Sequence, residues 1–164
     1  MNFKKTGAIV ACVLALAACD TTPSGSTNPG DFTTGAGDAA NPSSVAYFQQ
    51  KIGDRVLFVV NQSSLTPEGI EILNGQANWL LQYTDRTVSV EGHADEQGTR
   101  EYNLALGARR ASAVQNYLVS RGVADSRIRT VTFGKERPIE ICSEESCWSR
   151  NRRAVTVVAG GLTS

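Results

Sequence analysis

Between residues 55 and 158, short β-branched runs alternate with longer stretches in which apolar residues recur every three or four positions. Runs of the first kind predict strands, and stretches of the second kind predict amphipathic helices. Strands separated by helices favour right-handed crossovers and neighbouring parallel strands. The expected fold is therefore α/β, an α+β sandwich of order β-α-β-α-β-β with two main helices on one face of a mixed four-stranded sheet.

The ends of these elements can be placed from local signals. The four strands are predicted at residues 55–60, 87–91, 128–133 and 154–158. The first helix is predicted to begin at Pro67 after a capping Thr66, since a hydroxyl followed by proline is typical of a helix start, and to end near Tyr83. The second helix is predicted over residues 103–121, followed by Gly122. Its apolar face is predicted to contain Leu104, Ala108, Ala111, Val114 and Leu118.

The start of the chain has the pattern of a secretory signal. Two lysines precede an apolar stretch at residues 8–18, which is shorter than the about 20 residues that a transmembrane helix needs. Residues 16–19 read Leu-Ala-Ala-Cys and resemble the lipobox of bacterial lipoproteins. This resemblance implies that residues 1–18 are removed and that Cys19 carries the acyl chains of a membrane anchor. A retained transmembrane helix and an ordinary signal with a chance cysteine are the alternatives.

The segment after the signal is poor in residues that could form a core. Residues 20–41 contain four Gly, two Pro, five Thr and a single aromatic residue. Such a composition buries too little apolar area to offset the entropy of ordering the chain. We therefore expect a lipidated N-terminus and flexible tether at residues 19–46, followed by one globular domain at residues 47–164.

Composition excludes several classes of function. Sixteen basic and sixteen acidic side chains give a net charge of zero, which argues against a nucleic-acid partner. His93 is the only histidine, so a multi-histidine metal centre is impossible, and neither a metal nor a cofactor is expected. The chain has no nucleophile-elbow motif, and it is not expected to be an enzyme. His93 is expected to orient its loop through hydrogen bonds, and Glu144 and Glu145 are expected to be solvated.

Two of the four cysteines lie close together near the end of the chain. Cys142 and Cys147 are separated by four residues in a protein with an export signal. Disulfides persist outside the cytoplasm, so this pair predicts a disulfide within one loop. Two cysteines of a zinc site are the alternative, although coordination would be incomplete without histidine ligands.

An acid and an arginine flank the predicted turn between the second strand and the second helix. Asp95 follows the strand, and Arg110 lies about two turns into the helix, so their side chains could converge across a shallow pocket. An aspartate accepts hydrogen bonds from an ammonium group and an arginine donates two to a carboxylate, so together they suit a zwitterion. A salt bridge without any ligand is the alternative.

Several short segments around these two residues carry a resemblance. The chain contains GHADEQG, YNLALGARRA, YLVSRGV, FGKERP and NRRAV between Gly92 and Val155. Their order and spacing resemble the OmpA-like peptidoglycan-binding domain family. The resemblance implies binding of the free zwitterionic end of meso-diaminopimelate in the peptide stem of peptidoglycan, with Asp95 on the ammonium and Arg110 on the carboxylate. The pocket wall and loop are implied to be shaped by Gly98, Tyr102, Asn103 and Leu106.

The same resemblance assigns two further regions. Family members carry an acid before the first helix, where this chain has Asn61, which can accept a hydrogen bond from the ligand but brings no charge. The basic cluster at residues 150–153 is implied to support contacts with the wall or within the domain.

Resemblance to the lipoproteins of this family also implies the partners of the protein and its location in the cell. The partners are peptidoglycan, TolB and the other components of the Tol-Pal system, which draws the outer membrane inward during cell division. Cys19 would hold the protein in the periplasmic leaflet of the outer membrane, although an aspartate such as Asp20 after the anchor is typical of inner-membrane retention in enteric lipoproteins. The alternative functions are an OmpA-like lipoprotein of a motor or secretion machine and a peptidoglycan hydrolase.

Overall fold

The structure, a computed structural model, describes residues 37–159. The predicted signal at residues 1–18, the predicted anchor Cys19 and most of the predicted tether lie outside the described residues. Among the helices of the described part, none is long and apolar enough to cross a membrane.

The helices and strands follow the predicted order, with three short helical segments and a helix α4 added. They are α1 (Val45–Tyr47), a π-helical segment (Phe48–Gly53), β1 (Arg55–Leu57), α2 (Pro67–Gln82), β2 (Val88–His93), α3 (Arg100–Ser120), a 3₁₀ turn (Asp125–Arg127), β3 (Ile128–Gly134), α4 (Glu145–Asn151) and β4 (Arg153–Val158). The predicted α+β class with a mixed four-stranded sheet is confirmed.

The sheet has the strand order β1-β4-β2-β3. β2 and β3 are parallel neighbours, as expected, and pair Val90 with Thr130. β4 is antiparallel to both β1 and β2, and pairs Ala154 with Val56 on one side and with Gly92 on the other. The expectation that β1 and β2 are also neighbours is therefore wrong, because the last strand of the chain lies between them.

The helix starts are set by capping hydroxyl groups. Thr66 accepts a hydrogen bond from the backbone N–H of Gly69 at 3.1 Å, as its position before Pro67 predicts. Thr99 accepts one from the N–H of Tyr102 at 3.2 Å, so α3 begins at Arg100, three residues earlier than predicted.

The core lies between the sheet and the two long helices. Its central residues are Val56, Leu73, Ala77, Leu80, Val88, Val90, Ala111, Val114, Leu118 and Ile128. The predicted face of α3 is correct in its second half, but Ala108 is exposed. In the first half the buried positions are instead Asn103, Leu106, Gly107 and Arg110. Polar residues on the buried side of α3 therefore mark the region where the helix leaves the apolar core.

The folded part begins before the predicted boundary between residues 46 and 47. The indole Nε1 of Trp79 donates a hydrogen bond to the carbonyl of Pro42 at 2.7 Å. Ser44 caps α1 by accepting from the N–H of Tyr47 at 3.0 Å. These contacts correct the boundary, because a backbone carbonyl that serves as a partner for tryptophan cannot be read from a Gly- and Asn-rich composition.

Candidate ligand-binding site

The site lies at the end of β2, where α3 crosses the strand and the two backbones are in contact. A Cβ atom placed on Gly92 would lie 1.9 Å from the carbonyl oxygen of Gly107. No side chain fits in that gap, so the glycine pair brings the end of β2 against the second turn of α3. The loop after β2, which carries Asp95, and the next turn of α3, which carries Arg110, are held close together as a result.

Asp95 is a buried carboxylate with an arginine partner. It is 5% exposed, and its Oδ2 accepts a hydrogen bond from Nη1 of Arg152 at 3.1 Å. Its Oδ1 accepts only a long bond of 3.3 Å, from the backbone N–H of Gln97. Oδ1 therefore keeps capacity to accept a hydrogen bond from a ligand.

Arg110 is fully buried, at 0% exposure, and is held by three backbone carbonyl oxygens. Nε donates to Gln62 at 2.9 Å, Nη1 to His93 at 2.8 Å and Nη2 to Val59 at 3.2 Å, and the guanidinium lies 5.2 Å from the ring centroid of Phe58. Since a guanidinium has five N–H donors, two stay available for a carboxylate. Burial lowers the pKa of Arg110 to about 10, so the group is still charged at pH 7.

The two charges are near each other but have different partners. The Asp95 carboxylate is the largest of the influences that raise the pKa of Arg110 against the effect of burial. The ion pairs among residues 37–159 nevertheless join Asp95 to Arg152, and none joins it to Arg110. A simple Asp95–Arg110 salt bridge, the alternative left by the sequence, is therefore not formed in the described structure.

Arg152 is also bound by Glu145, one of the two adjacent glutamates that are expected to be solvated. Both ends of the guanidinium donate to the Glu145 carboxylate, from Nη2 to Oε1 and from Nη1 to Oε2 at 3.3 Å. The hydrogen bond from Arg152 lowers the pKa of Glu145. Glu145 is exposed, as expected, but it also pairs with Arg152, because α4 places its first residue against an arginine seven positions later in the chain.

The other predicted pocket residues occupy different places around this pair. Asn103 is buried, and its Nδ2 donates to the carbonyl of Gln97 at 2.7 Å, while its Oδ1 has no partner among the described residues. Tyr102 is partly exposed and donates its hydroxyl to Oδ1 of Asn61 at 3.3 Å. Leu106 is buried. Gly98 has a φ of 87°, a left-handed conformation that the turn into α3 requires.

Two further residues, Lys135 and Trp148, hold the Asp95 loop. Lys135 donates from Nζ to the carbonyls of Glu96 at 3.2 Å and Gly98 at 2.7 Å. Trp148 donates from Nε1 to Oε1 of Glu96 at 3.0 Å. Both come from elements that are distant in sequence. The FGKERP segment contains Lys135, but its spacing carries no signal for these backbone contacts.

The expectation that His93 orients the loop through hydrogen bonds of its ring is wrong. The ring is buried and stacks on Phe133 with centroids 5.4 Å apart, and neither nitrogen has a hydrogen-bond partner among the described residues. It is the backbone carbonyl of His93 that accepts from Arg110. Burial lowers the pKa of His93 to about 4, with further lowering by Arg153 and Arg137, so the ring is neutral at pH 7.

The disulfide and the basic cluster both include residues of α4. Cys142 and Cys147 form the predicted disulfide, with Cα atoms 5.8 Å apart, although Cys147 lies in α4 and not in a loop. Of the cluster at residues 150–153, Arg152 and Arg153 are buried and only Arg150 is exposed. Among residues 37–159, no group of three or more His, Cys, Asp or Glu side chains could hold a metal ion.

A family model, the sequences of relatives and solved structures all indicate the same family. The model of the OmpA family matches residues 57–152. A "Peptidoglycan-associated lipoprotein" of Mesorhizobium japonicum is 52% identical over 90% of this chain and 88% of its own length. Another relative of that name, from Haemophilus influenzae, is 39% identical over 94% of this chain and 97% of its own.

Solved structures agree with these sequence matches. The crystal structure of the peptidoglycan-associated lipoprotein from Burkholderia pseudomallei is similar with a TM-score of 0.66 and 35% identity, and covers 74% of this chain and 100% of its own. The C-terminal domain of Helicobacter pylori MotB is similar with a TM-score of 0.61, covering 66% of this chain and 86% of its own. At 18% identity, the second likeness concerns the fold alone.

Proposed function

The chain belongs to the OmpA family and, within it, to the peptidoglycan-associated lipoproteins, and from this membership we propose that it binds peptidoglycan non-covalently and tethers a membrane to it. As a member of this family it is an envelope-associated lipoprotein. The proposed role is mechanical and not enzymatic.

The observation that carries the proposal is the pair of buried, opposite charges that are not bonded to each other. Asp95 keeps an oxygen with acceptor capacity and Arg110 keeps two N–H donors, on groups that influence each other electrostatically. A ligand that carries an ammonium and a carboxylate on one carbon satisfies both at once. The free end of meso-diaminopimelate in the peptide stem has these two groups. Asn61, Gly98, Tyr102, Asn103 and Leu106 form the proposed pocket wall and loop.

Access to Arg110 requires the segment after β1 to move. This segment supplies two of the three carbonyls on the guanidinium, from Val59 and Gln62, and leaves it without solvent exposure. Val59 and Val60 are exposed apolar residues, and Asn61 has a left-handed φ of 56°, so little buried surface holds the segment in place. We expect ligand binding to exchange the longest of the three bonds, 3.2 Å to Val59, for a bond to the ligand carboxylate.

The rest of the chain connects this site to a membrane. Cys19 is the proposed lipid anchor, residues 1–18 the proposed signal, and the residues between Cys19 and Asp38 the proposed tether. We propose the periplasmic leaflet of the outer membrane as the location, with the inner membrane as the alternative because of Asp20. TolB and the other Tol-Pal components are the proposed protein partners. Co-purification of TolB with the full chain tests this assignment, and its absence would favour another envelope machine.

Isolated sacculi test the binding proposal. The full chain in detergent should sediment with sacculi, and Asp95→Asn and Arg110→Lys should each weaken that binding at least about tenfold. Asp95→Asn removes the charge that binds the ammonium, and Arg110→Lys keeps the charge but removes the paired N–H donors that bind a carboxylate. Asp85→Asn and Arg109→Lys are the matched controls. Both side chains are exposed, and neither forms a hydrogen bond or an ion pair with Asp95 or Arg110 among the described residues. Wild-type binding by both site variants, with unchanged thermal unfolding, would contradict the proposal.

A further inference from the structure

The buried partner of Asp95 is itself held by a second carboxylate. Arg152 has a side chain that is 6% exposed, and it donates one hydrogen bond to Asp95 and two to Glu145. Its Nε donates to the carbonyl of Phe58 at 3.3 Å, so all three of its nitrogens have partners. Glu145 is 68% exposed and therefore approaches the buried arginine from the solvent side. The three side chains form a row, Glu145–Arg152–Asp95, that ends at the proposed ligand site.

The formal charges of this row decide what Asp95 can bind. Two carboxylates and one guanidinium sum to minus one, which leaves a net negative charge for the ammonium of a ligand. Without Glu145, Asp95 and Arg152 would cancel each other. An ammonium would then approach a neutral pair, with the positive charge of Arg110 beside it. In a buried site this difference is screened little by salt.

The disulfide holds Glu145 in the place that this role requires. Glu145 is the first residue of α4 and lies inside the ring closed by Cys142 and Cys147. The N–H of Cys147 donates to the carbonyl of Glu144 at 3.0 Å, which ties the first turn of the helix to the same ring. The backbone that presents Glu145 is therefore fixed on both sides, although its side chain is exposed.

We propose that Glu145 is a positioning residue for ligand binding: by neutralising Arg152, it leaves the charge of Asp95 available to the ammonium of the ligand. The inference rests on the proposed function, in which a zwitterion binds between Asp95 and Arg110. Glu145 makes no contact with the ligand in this proposal. It determines specificity for the ammonium group through Arg152, and the disulfide maintains its position.

The experiment compares two peptides on the full chain in detergent by calorimetric titration. One is a stem tripeptide that ends in meso-diaminopimelate, and the other ends in 2-aminopimelate, which lacks only the free amine. Glu145→Gln should weaken binding of the first peptide about tenfold and leave binding of the second unchanged, because only the first brings an ammonium to Asp95. Glu145→Asp should recover part of the loss. Glu144→Gln, which removes the same charge one residue away, should bind both peptides like the wild type.

The disulfide gives a second, independent variant. The double substitution of Cys142 and Cys147 by serine keeps Glu145 but frees its backbone. We expect a loss of affinity for the diaminopimelate peptide that is smaller than that of Glu145→Gln, again without change for the 2-aminopimelate peptide.

Each other outcome separates this inference from the function on which it rests. If Glu145→Gln binds the diaminopimelate peptide like the wild type, or loses the same factor for both peptides, Glu145 has no role or only a packing role, and the inference is wrong while the function stands. If the wild-type chain does not distinguish the two peptides, or binds neither, the proposed zwitterion site is wrong and the inference falls with it.

Discussion

Buried arginines define the chemistry of this molecule at the scale of single residues. Arg110 is held by three backbone carbonyls, Arg152 by two carboxylates and a carbonyl, and Arg153 by the carbonyls of Asn151 and Arg137. A buried charge costs several kcal/mol unless it has hydrogen-bond partners, so each arginine depends on the backbone or the carboxylates around it, although Nε of Arg153 has no partner among the described residues. These partners hold the charged groups of the site in place before a ligand arrives, and at Arg110 we expect binding to exchange one of them for the ligand.

His93 should make folding stability depend on pH in the acid range. Burial holds its pKa at about 4 in the folded state, against an ordinary 6.5 in the unfolded chain. The folded state thus resists protonation, so the stabilisation is complete above pH 6.5 and is lost as pH falls from 6.5 towards 4. The loss should reach about 3 kcal/mol, which chemical denaturation at pH 7, 5.5 and 4 would measure.

The control for this prediction is His93→Phe, which keeps an aromatic ring stacked on Phe133 but does not titrate. Carboxylates contribute to the acid dependence of both proteins, and His93 is the only histidine, so the difference between the two curves isolates its contribution. Parallel curves from pH 7 to pH 4 would contradict the assigned protonation state.

At the scale of elements, the site depends on how closely α3 crosses β2. The carbonyl of Gly92 would lie 2.8 Å from a Cβ placed on Gly107, and Oγ1 of Thr132 would lie 2.5 Å from it. Backbone atoms of a paired strand cannot move aside to make room. The two glycines therefore set the distance between the helix that carries Arg110 and the loop that carries Asp95.

Gly107→Ala should destabilise the fold although alanine favours helices. The new methyl group would overlap the backbone of β2, and overpacking of this kind costs about 1–3 kcal/mol. Gly75→Ala in α2 is the matched control, because its Cβ would meet only the end of the Ile52 side chain at 3.2 Å. Thermal unfolding should show a lower midpoint for Gly107→Ala than for Gly75→Ala. Equal midpoints would mean that the crossing tolerates a wider separation.

The element boundaries show what a sequence pattern can predict and what it cannot. The sequence predicts α2 to within a residue because Thr66 and Pro67 carry the signal locally. β1 ends at Leu57, three residues before the predicted end, because Val59 and Gln62 turn their carbonyls to Arg110 on a distant helix. The position of β4 between β1 and β2 is likewise set by long-range pairing, which no local pattern encodes.

The same distinction applies to the candidate site. Asp95 and Arg110 were selected by residue type and by family resemblance, and the structure brings them near each other. The link from Asp95 through Arg152 to Glu145 was not predicted, because Glu144 and Glu145 look alike in sequence and only α4 decides which of them faces the arginine. Side-chain identity is thus readable from the sequence, whereas partnership depends on the packing of remote elements.

At the scale of the whole molecule, the proposed function needs two attachments joined by a chain. One is the site formed by Asp95 and Arg110, and the other is the proposed lipid at Cys19. The carbonyl of Asp38 accepts a hydrogen bond from Ser44, and about 18 residues of the proposed tether separate Asp38 from Cys19. A flexible coil of that length has a root-mean-square reach of roughly 24 Å. A tether of that length can hold a membrane near the wall without fixing the orientation of the domain.

The two attachments should be separable by substitution. Cys19→Ala removes the acylated thiol, and the variant is made with an ordinary cleavable signal in place of residues 1–18, so that the loss of the lipobox does not leave the apolar signal attached. Since membrane affinity grows by roughly 0.8 kcal/mol per buried CH₂, this variant should leave the membrane fraction almost completely. It should still bind isolated sacculi like the wild type. Arg110→Lys should do the reverse, and remain with membranes while it no longer sediments with sacculi.

Cys12→Ala, which lies in the predicted signal, is the matched control and should change neither property. If Cys19→Ala stays in the membrane pellet, the anchor lies elsewhere in the chain; if it loses sacculus binding in detergent, membrane attachment and wall binding are not independent.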